Sequence, residues 1–134
     1  MPKEFLYEVR EKATTVTVKE FTPEGVRLSY NLQGQVKGQY DAARLESADT
    51  LFRVDGSGDL EIHIMDQTPE GDVILIPGRG TVKQVSPTTI HVQGTNTFLT
   101  TSKKFAWLNP AKGRFEGTFD RATGEAVVKC FATR

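Results

Sequence analysis

The chain has 134 residues, 37% hydrophobic and 25% charged, with 17 Lys and Arg balanced by 17 Asp and Glu. That make-up fits an ordinary globular protein of one domain, residues 1–134, and formal neutrality argues against a nucleic-acid partner, whose binders carry a basic surplus or stripe. The longest apolar run, near 73–76, is too short to span a bilayer, and no charged-then-apolar leader pattern is read at the start, so no membrane partner is expected.

A period of two dominates the chain and a period of 3.6 is almost absent, which predicts strands. Candidate strands cover residues 5–10, 15–21, 26–33, 35–40, 51–54, 60–65, 73–76, 80–85, 89–93, 97–101, 105–108, 114–120 and 125–132, and some of these must merge. Turn chemistry separates them: Thr22-Pro-Glu-Gly25, Thr68-Pro-Glu-Gly71, Ser86-Pro-Thr88 and Arg121-Ala-Thr-Gly124 each supply Pro or Gly where a reversal needs it. One short helix is predicted over 41–48, where Asp41 could cap and Ala42, Ala43, Arg44, Leu45 and Glu46 favour helix.

The clearest local feature is the hairpin 51–65, LFRVDGSGDLEIHIM. Two strand-like runs flank Asp55-Gly56-Ser57-Gly58, whose glycines can take the positive φ angles of a tight reversal. Alternation puts Phe52 and Val54 on one face with Leu60, Ile62 and Ile64, and puts Arg53, Asp55, Asp59, Glu61 and His63 on the other. A short loop would set Arg53 across from the Glu61 region, close enough for weak attraction. The function turns on whether this charged face points inward or outward.

Many short strands separated by turns indicate a sandwich or a closed barrel. Two similar stretches favour the barrel. Gly34-Gln-Val-Lys-Gly38-Gln-Tyr40 and Gly113-Arg-Phe-Glu-Gly117-Thr-Phe119 repeat glycine, apolar, glycine, aromatic at alternate positions, and glycine on one strand face lets a sheet coil sharply enough to close. The expected fold is all-β, a single antiparallel closed barrel of about eight to ten strands, with at most one short helix.

Most catalytic signatures are missing. The only histidines are His63 and His91, without HxH or HExxH spacing, so no metal is expected. No glycine-rich loop opens a helix, so no phosphate cradle and no cofactor are expected. Gly56-Ser57-Gly58 is a turn and not a nucleophile elbow. Cys130, the single cysteine, lies in the last strand as a packed thiol and cannot form an intramolecular disulfide, which points to a reducing, cytoplasmic setting.

What remains is a polar set. Arg53, Glu61 and His63 are the candidate catalytic residues, because a carboxylate beside a histidine and an arginine can exchange protons while each tunes the others. Asp49, Asp55, Tyr40, Trp107 and Asn109 are candidate ligand-binding residues, with Tyr30 and His91 as further neighbours. The alternative is a solvated outer face carrying a weak Arg53–Glu61 ion pair. Trp107 could equally be packing at a barrel end.

Residues 97–109, TFLTTSKKFAWLN, are similar to the closing signature of a domain-of-unknown-function family of small barrels with calycin-like (lipocalin-like) or allene-oxide-cyclase-like architecture. In that family an Asp precedes an Arg-x-Asp-Gly turn and a Leu-Asp-x-Arg-Tyr-like strand follows. The matching residues here are Asp49, Arg53-Val-Asp55-Gly56 and Leu60-Glu-Ile-His-Ile64. Glu61 stands where the family tends to Asp, His63 where it tends to Arg, and Leu99 replaces an arginine of the late strand. The resemblance covers about the last two thirds of the chain and implies a barrel whose mouth joins Trp107 and Asn109 to the Arg53, Glu61, His63 face.

Two functions from different classes follow. One is a cofactor-independent isomerase, cyclase or lyase in which His63 and Glu61 exchange protons in the lumen and Arg53 holds an anionic or enolate-like group. The other is a non-catalytic carrier of a small hydrophobic or aromatic ligand. The expected partner is a small molecule; a homodimer is a further arrangement, and an oligomerisation unit would show a large apolar outer patch.

Overall fold

Along residues 57–67 buried and exposed side chains alternate without a break, the pattern of a sheet with one dry and one wet face. In the structure, a computed structural model that describes residues 3–133, this stretch is one of eight strands. They are β1 (Glu4–Phe21), β2 (Gly25–Gly38), β3 (Ala42–Arg53), β4 (Ser57–Gln67), β5 (Val73–Gln84), β6 (Thr89–Asn96), β7 (Lys112–Asp120) and β8 (Glu125–Thr133). Each pairs antiparallel with its neighbour in sequence, and β8 returns to β1, so the sheet closes into an up-and-down barrel. The expected closed antiparallel barrel is present at the low end of its strand range.

The thirteen candidate strands condense in a regular way. The pairs 5–10 with 15–21, 26–33 with 35–40, and 73–76 with 80–85 each fuse into one long strand. Residues 97–101 contribute only one bridge, Leu99 to Leu75, and 105–108 hold a 3₁₀ turn, Ala106–Leu108, the only helical element among the described residues. The helix predicted over 41–48 does not form; those residues lie in β3. Their helix propensity amounts to a few tenths of a kcal/mol per residue, and β2 and β4 hydrogen-bond the segment on both sides while Ala42, Arg44 and Ala48 are buried inside.

Glycine permits the tight coiling. At Gly34 a side chain would collide with the Arg10 carbonyl oxygen at 2.2 Å and with Glu11 Cβ at 2.4 Å. Gly56, at φ +90°, makes the β3–β4 reversal, where Asp55 Oδ1 accepts from the Ser57 backbone N at 2.9 Å and from Ser57 Oγ at 2.7 Å.

One end of the barrel is plugged. Residues 97–111 fold across it and bury Phe98, Phe105, Leu108 and Ala111, each large side chain contributing roughly 1.5–3 kcal/mol by leaving water. Phe105 packs edge-on against Tyr40, with ring centroids 5.6 Å apart. The other end, ringed by the β1–β2, β3–β4, β5–β6 and β7–β8 turns, is built differently. There β1 outruns β8, whose pairing with β1 stops at Lys12, so the rest of β1 runs on as a free-edged ribbon held only by β2, which itself stays paired with β3. Val16 lies opposite Tyr30, Val18 opposite Leu28 and Phe21 opposite Val26, so all three share the inner face although 53%, 58% and 83% exposed.

Candidate functional site

The barrel register lays charged residues side by side on the inner wall. Glu11 pairs with Gly34, Gly34 with Arg44, and Arg44 with Asp66, so one transverse row of the sheet points Glu11, Arg44 and Asp66 inward. Gly34 leaves the gap that Glu11 and Arg44 occupy. The next row carries Glu46 between Leu32 and Ile64.

Arg44 and Asp66 form a buried bidentate ion pair, Nε to Oδ1 at 2.7 Å and Nη2 to Oδ2 at 2.9 Å, with side chains 3% and 0% exposed. Tyr40 Oη donates to Asp66 Oδ2 at 2.7 Å, and the Arg44 guanidinium lies 4.7 Å from the Tyr7 ring centroid. Burial works against the charged form of Arg44, and its paired hydrogen bonds to the Asp66 carboxylate outweigh that and hold the guanidinium charged. Burial pushes the Tyr7 and Tyr40 hydroxyls well above the usual phenol range, so both remain neutral donors. Cys130 donates toward Asn96 Oδ1 at 3.7 Å, and burial raises its thiol to about 11, so it is unreactive at neutral pH.

Glu11 and Glu46 are the unusual pair. Burial, then the neighbouring Glu46 charge, raises the Glu11 carboxyl well above the ordinary range. Burial raises Glu46 too, offset by its hydrogen bond to Glu11 and by Arg44. Two neighbouring carboxyls in a low-dielectric interior favour keeping one proton between them, because both cannot ionise cheaply. Glu11 Oε2 and Asn96 Nδ2 are buried, and no N–H, O–H or acceptor of the described residues pairs with them.

These groups line the floor of a cavity of about 80 Å³. A single water needs roughly 10–15 Å³ by such a measure, so this space takes several waters or a small organic molecule. Above the floor the wall is apolar, including Leu32, Leu60, Ile62, Ile64, Val82 and Ile90, with Tyr30, Phe52 and Phe119 also lining it. Arg121 lies against Phe52, its guanidinium 5.7 Å from the Phe52 ring centroid. Among the described residues, no group of three or more His, Cys, Asp and Glu is placed to hold a metal ion, and no helix is long and apolar enough to cross a membrane.

The sequence-predicted set lies elsewhere. Glu61 and His63 stand on the outer face of β4, 3.9 Å apart with side chains 61% and 62% exposed. Their inward neighbours are Leu60, Ile62 and Ile64. Arg53 does not meet Glu61: it bonds Glu24 Oε2 at 3.0 Å and also Asp59 on the outside, while Glu61 faces Asp49, itself exposed. The expectation that Arg53, Glu61 and His63 line the lumen is therefore corrected. Asp55 builds the turn. Asn109 is a brace for the plug, Oδ1 accepting from the Thr100 N at 2.8 Å and Nδ2 donating to the Thr100 carbonyl at 3.0 Å. Trp107 is half-buried against the core at the plugged end. Tyr40 is inside, beneath the floor, and Tyr30 is on the cavity wall.

Sequence reading missed Tyr7, Glu11, Arg44, Glu46, Asp66 and Asn96. A signal existed for two of them: Asp66 is in phase with Leu60, Ile62 and Ile64, and Glu11 is in phase with Val9.

No family model matches the chain, and no curated protein is similar to it. Solved structures do match. A Clostridium acetobutylicum protein of unknown function aligns over 100% of both chains at 16% identity with a TM-score of 0.87. A β-barrel-like protein from Acinetobacter baumannii aligns over 99% of this chain and 96% of its own, at 17% identity and a TM-score of 0.84. An enzyme from Penicillium herquei aligns over 98% and 96%, at 18% identity and a TM-score of 0.65. At these identities the likeness establishes a shared barrel fold.

Proposed function

We propose that the protein binds a small, largely apolar molecule in the barrel lumen and moves a proton on it with the Glu11–Glu46 pair, as a cofactor-independent isomerase, cyclase or lyase. The carrying observation is a cavity with apolar walls that ends on two neighbouring carboxyls, Glu11 and Glu46. Such a pair is base and acid at once: one carboxylate takes a proton from the ligand while the protonated partner supplies one to another ligand atom. The Arg44–Asp66 pair, fixed by Tyr40, orients Glu11 from below. The exposed apolar face of the ribbon suits capture of such a molecule, and the barrel shared with an enzyme agrees with catalysis. Membership of the small-barrel family suggested by residues 97–109 and a cytoplasmic setting belong to the same proposal.

The test uses a ketone with exchangeable α-hydrogens, phenylacetone, incubated with the protein in D₂O and followed by NMR. Exchange above the buffer rate is expected, falling ~10²-fold or more in Glu11→Gln and Glu46→Gln, the usual share of a general acid–base group. Ala48→Phe, which fills the lumen from its wall, should abolish it. Exchange no faster than buffer with a lumen that still takes up the ketone would make the barrel a carrier.

A further inference from the structure

The floor of the lumen also restricts which polar group a ligand can carry. Its one cation, Arg44, spends Nε and Nη2 on Asp66 and packs against Tyr7. The two charges cancel. Glu11 and Glu46 then add one negative charge when they share a proton and none when both are protonated, so no positive charge is left for an anion. An incoming carboxylate would give up its hydration to face two carboxyls, with only the Asn96 amide to donate to it. Arg121 is the cation nearest the open end, and it lies against Phe52, well above the floor.

The two unpartnered atoms define the complement. Glu11 Oε2 is an acceptor and Asn96 Nδ2 a donor; both residues are buried, 7% and 4% exposed, and both line the cavity. A buried polar atom without a partner has given up its hydration for nothing, a loss that a suitable ligand recovers. An ammonium group donates but cannot accept from Asn96, and a carboxylate accepts but cannot donate to Glu11. A hydroxyl does both.

We infer that the lumen selects a neutral, hydroxylated apolar molecule, a phenol or an alcohol, over its carboxylate and ammonium analogues. The inference rests on the lumen being the binding site. It also replaces the anionic group expected from Arg53, because the arginine inside the barrel is already neutralised.

The experiment titrates 4-methylphenol, 4-methylbenzyl alcohol, 4-methylbenzoate and 4-methylbenzylamine into isotope-labelled protein at pH 7.5, reading the Asn96 side-chain amide and the Ile62 and Ile64 methyls by NMR. The phenol and alcohol should shift these signals with affinities at least tenfold tighter than the benzoate and the amine. Benzoate signals confined to Arg121 also support the inference. A benzoate or benzylamine that reaches Asn96 as tightly as the phenol overturns it while leaving the lumen site intact. If none of the four moves Asn96, Ile62 or Ile64, the lumen reading fails and the inference with it. In Glu46→Gln, which lowers the negative charge and keeps the shape, the benzoate should gain on the phenol by about tenfold; an unchanged ratio also counts against the inference.

Discussion

Asp66 has more at stake than any other side chain in the barrel, since it accepts from Arg44 twice and from Tyr40 once with no exposure to water. Removing one partner of a buried pair strands the other charge. Asp66→Ala should therefore cost about 3–5 kcal/mol in urea unfolding, whereas Arg44→Met with Asp66→Leu together should cost clearly less, because an apolar pair strands nothing. Glu11 behaves in the opposite sense. Its carboxyl is raised in the folded chain, so the native state holds that proton more tightly than the unfolded one. The stability tied to it is complete below the unfolded value of about 4.3 and is lost as pH climbs toward the raised folded value. Wild-type Tm should fall as pH is raised above the ordinary carboxylate range, and Glu11→Gln should flatten that fall; a fall of equal depth in both would contradict the assignment. Neither residue was easy to find in the sequence, because inward alternation is normally recognised by apolar side chains and these positions are charged. Arg44 and Glu46 were further hidden by the helix-favouring composition around them.

Among the elements, the plug and the ribbon do opposite things to the two barrel ends. Residues 97–111 have one strand bridge and a single 3₁₀ turn, so the two Asn109–Thr100 hydrogen bonds hold much of the segment's shape. Asn109→Ala should cost about 1–2 kcal/mol, at 0.5–1.5 kcal/mol per bond, and should speed amide exchange in 97–111 before the strands exchange. The ribbon is the reverse, an apolar face with little to pack on. Val16→Thr with Val18→Thr should change stability by no more than about 0.5 kcal/mol. It should weaken binding of 4-hexylphenol, whose chain is long enough to run out along the ribbon, and leave 4-methylphenol unchanged; equal losses for both would place the contact elsewhere. The hairpin 51–65, the turns at Gly56, Gly71 and Gly124 and the alternation of β4 were readable, because glycine and period two are local signals, but which face of β4 turns inward was not. The ribbon was not, since it depends on where β8 stops pairing with β1.

In the molecule as a whole, closure decides everything else. The same alternation serves a barrel with Glu61 and His63 inside or outside, and only the phase of Leu60, Ile62 and Ile64 against the rest of the wall chooses between them. Eight strands leave an interior wide enough for side chains and one small ligand. Here the side chains leave about 80 Å³ above a polar floor. The proposed chemistry therefore belongs in the lumen, and the outer β4 face is a solvated surface. The most direct measurement is a map of chemical-shift changes over the whole chain on adding 4-methylphenol. Saturable shifts at Asn96, Ile62, Ile64 and Val82 with His63 unmoved are expected; shifts centred on His63 and Arg53 with the lumen silent would contradict the account.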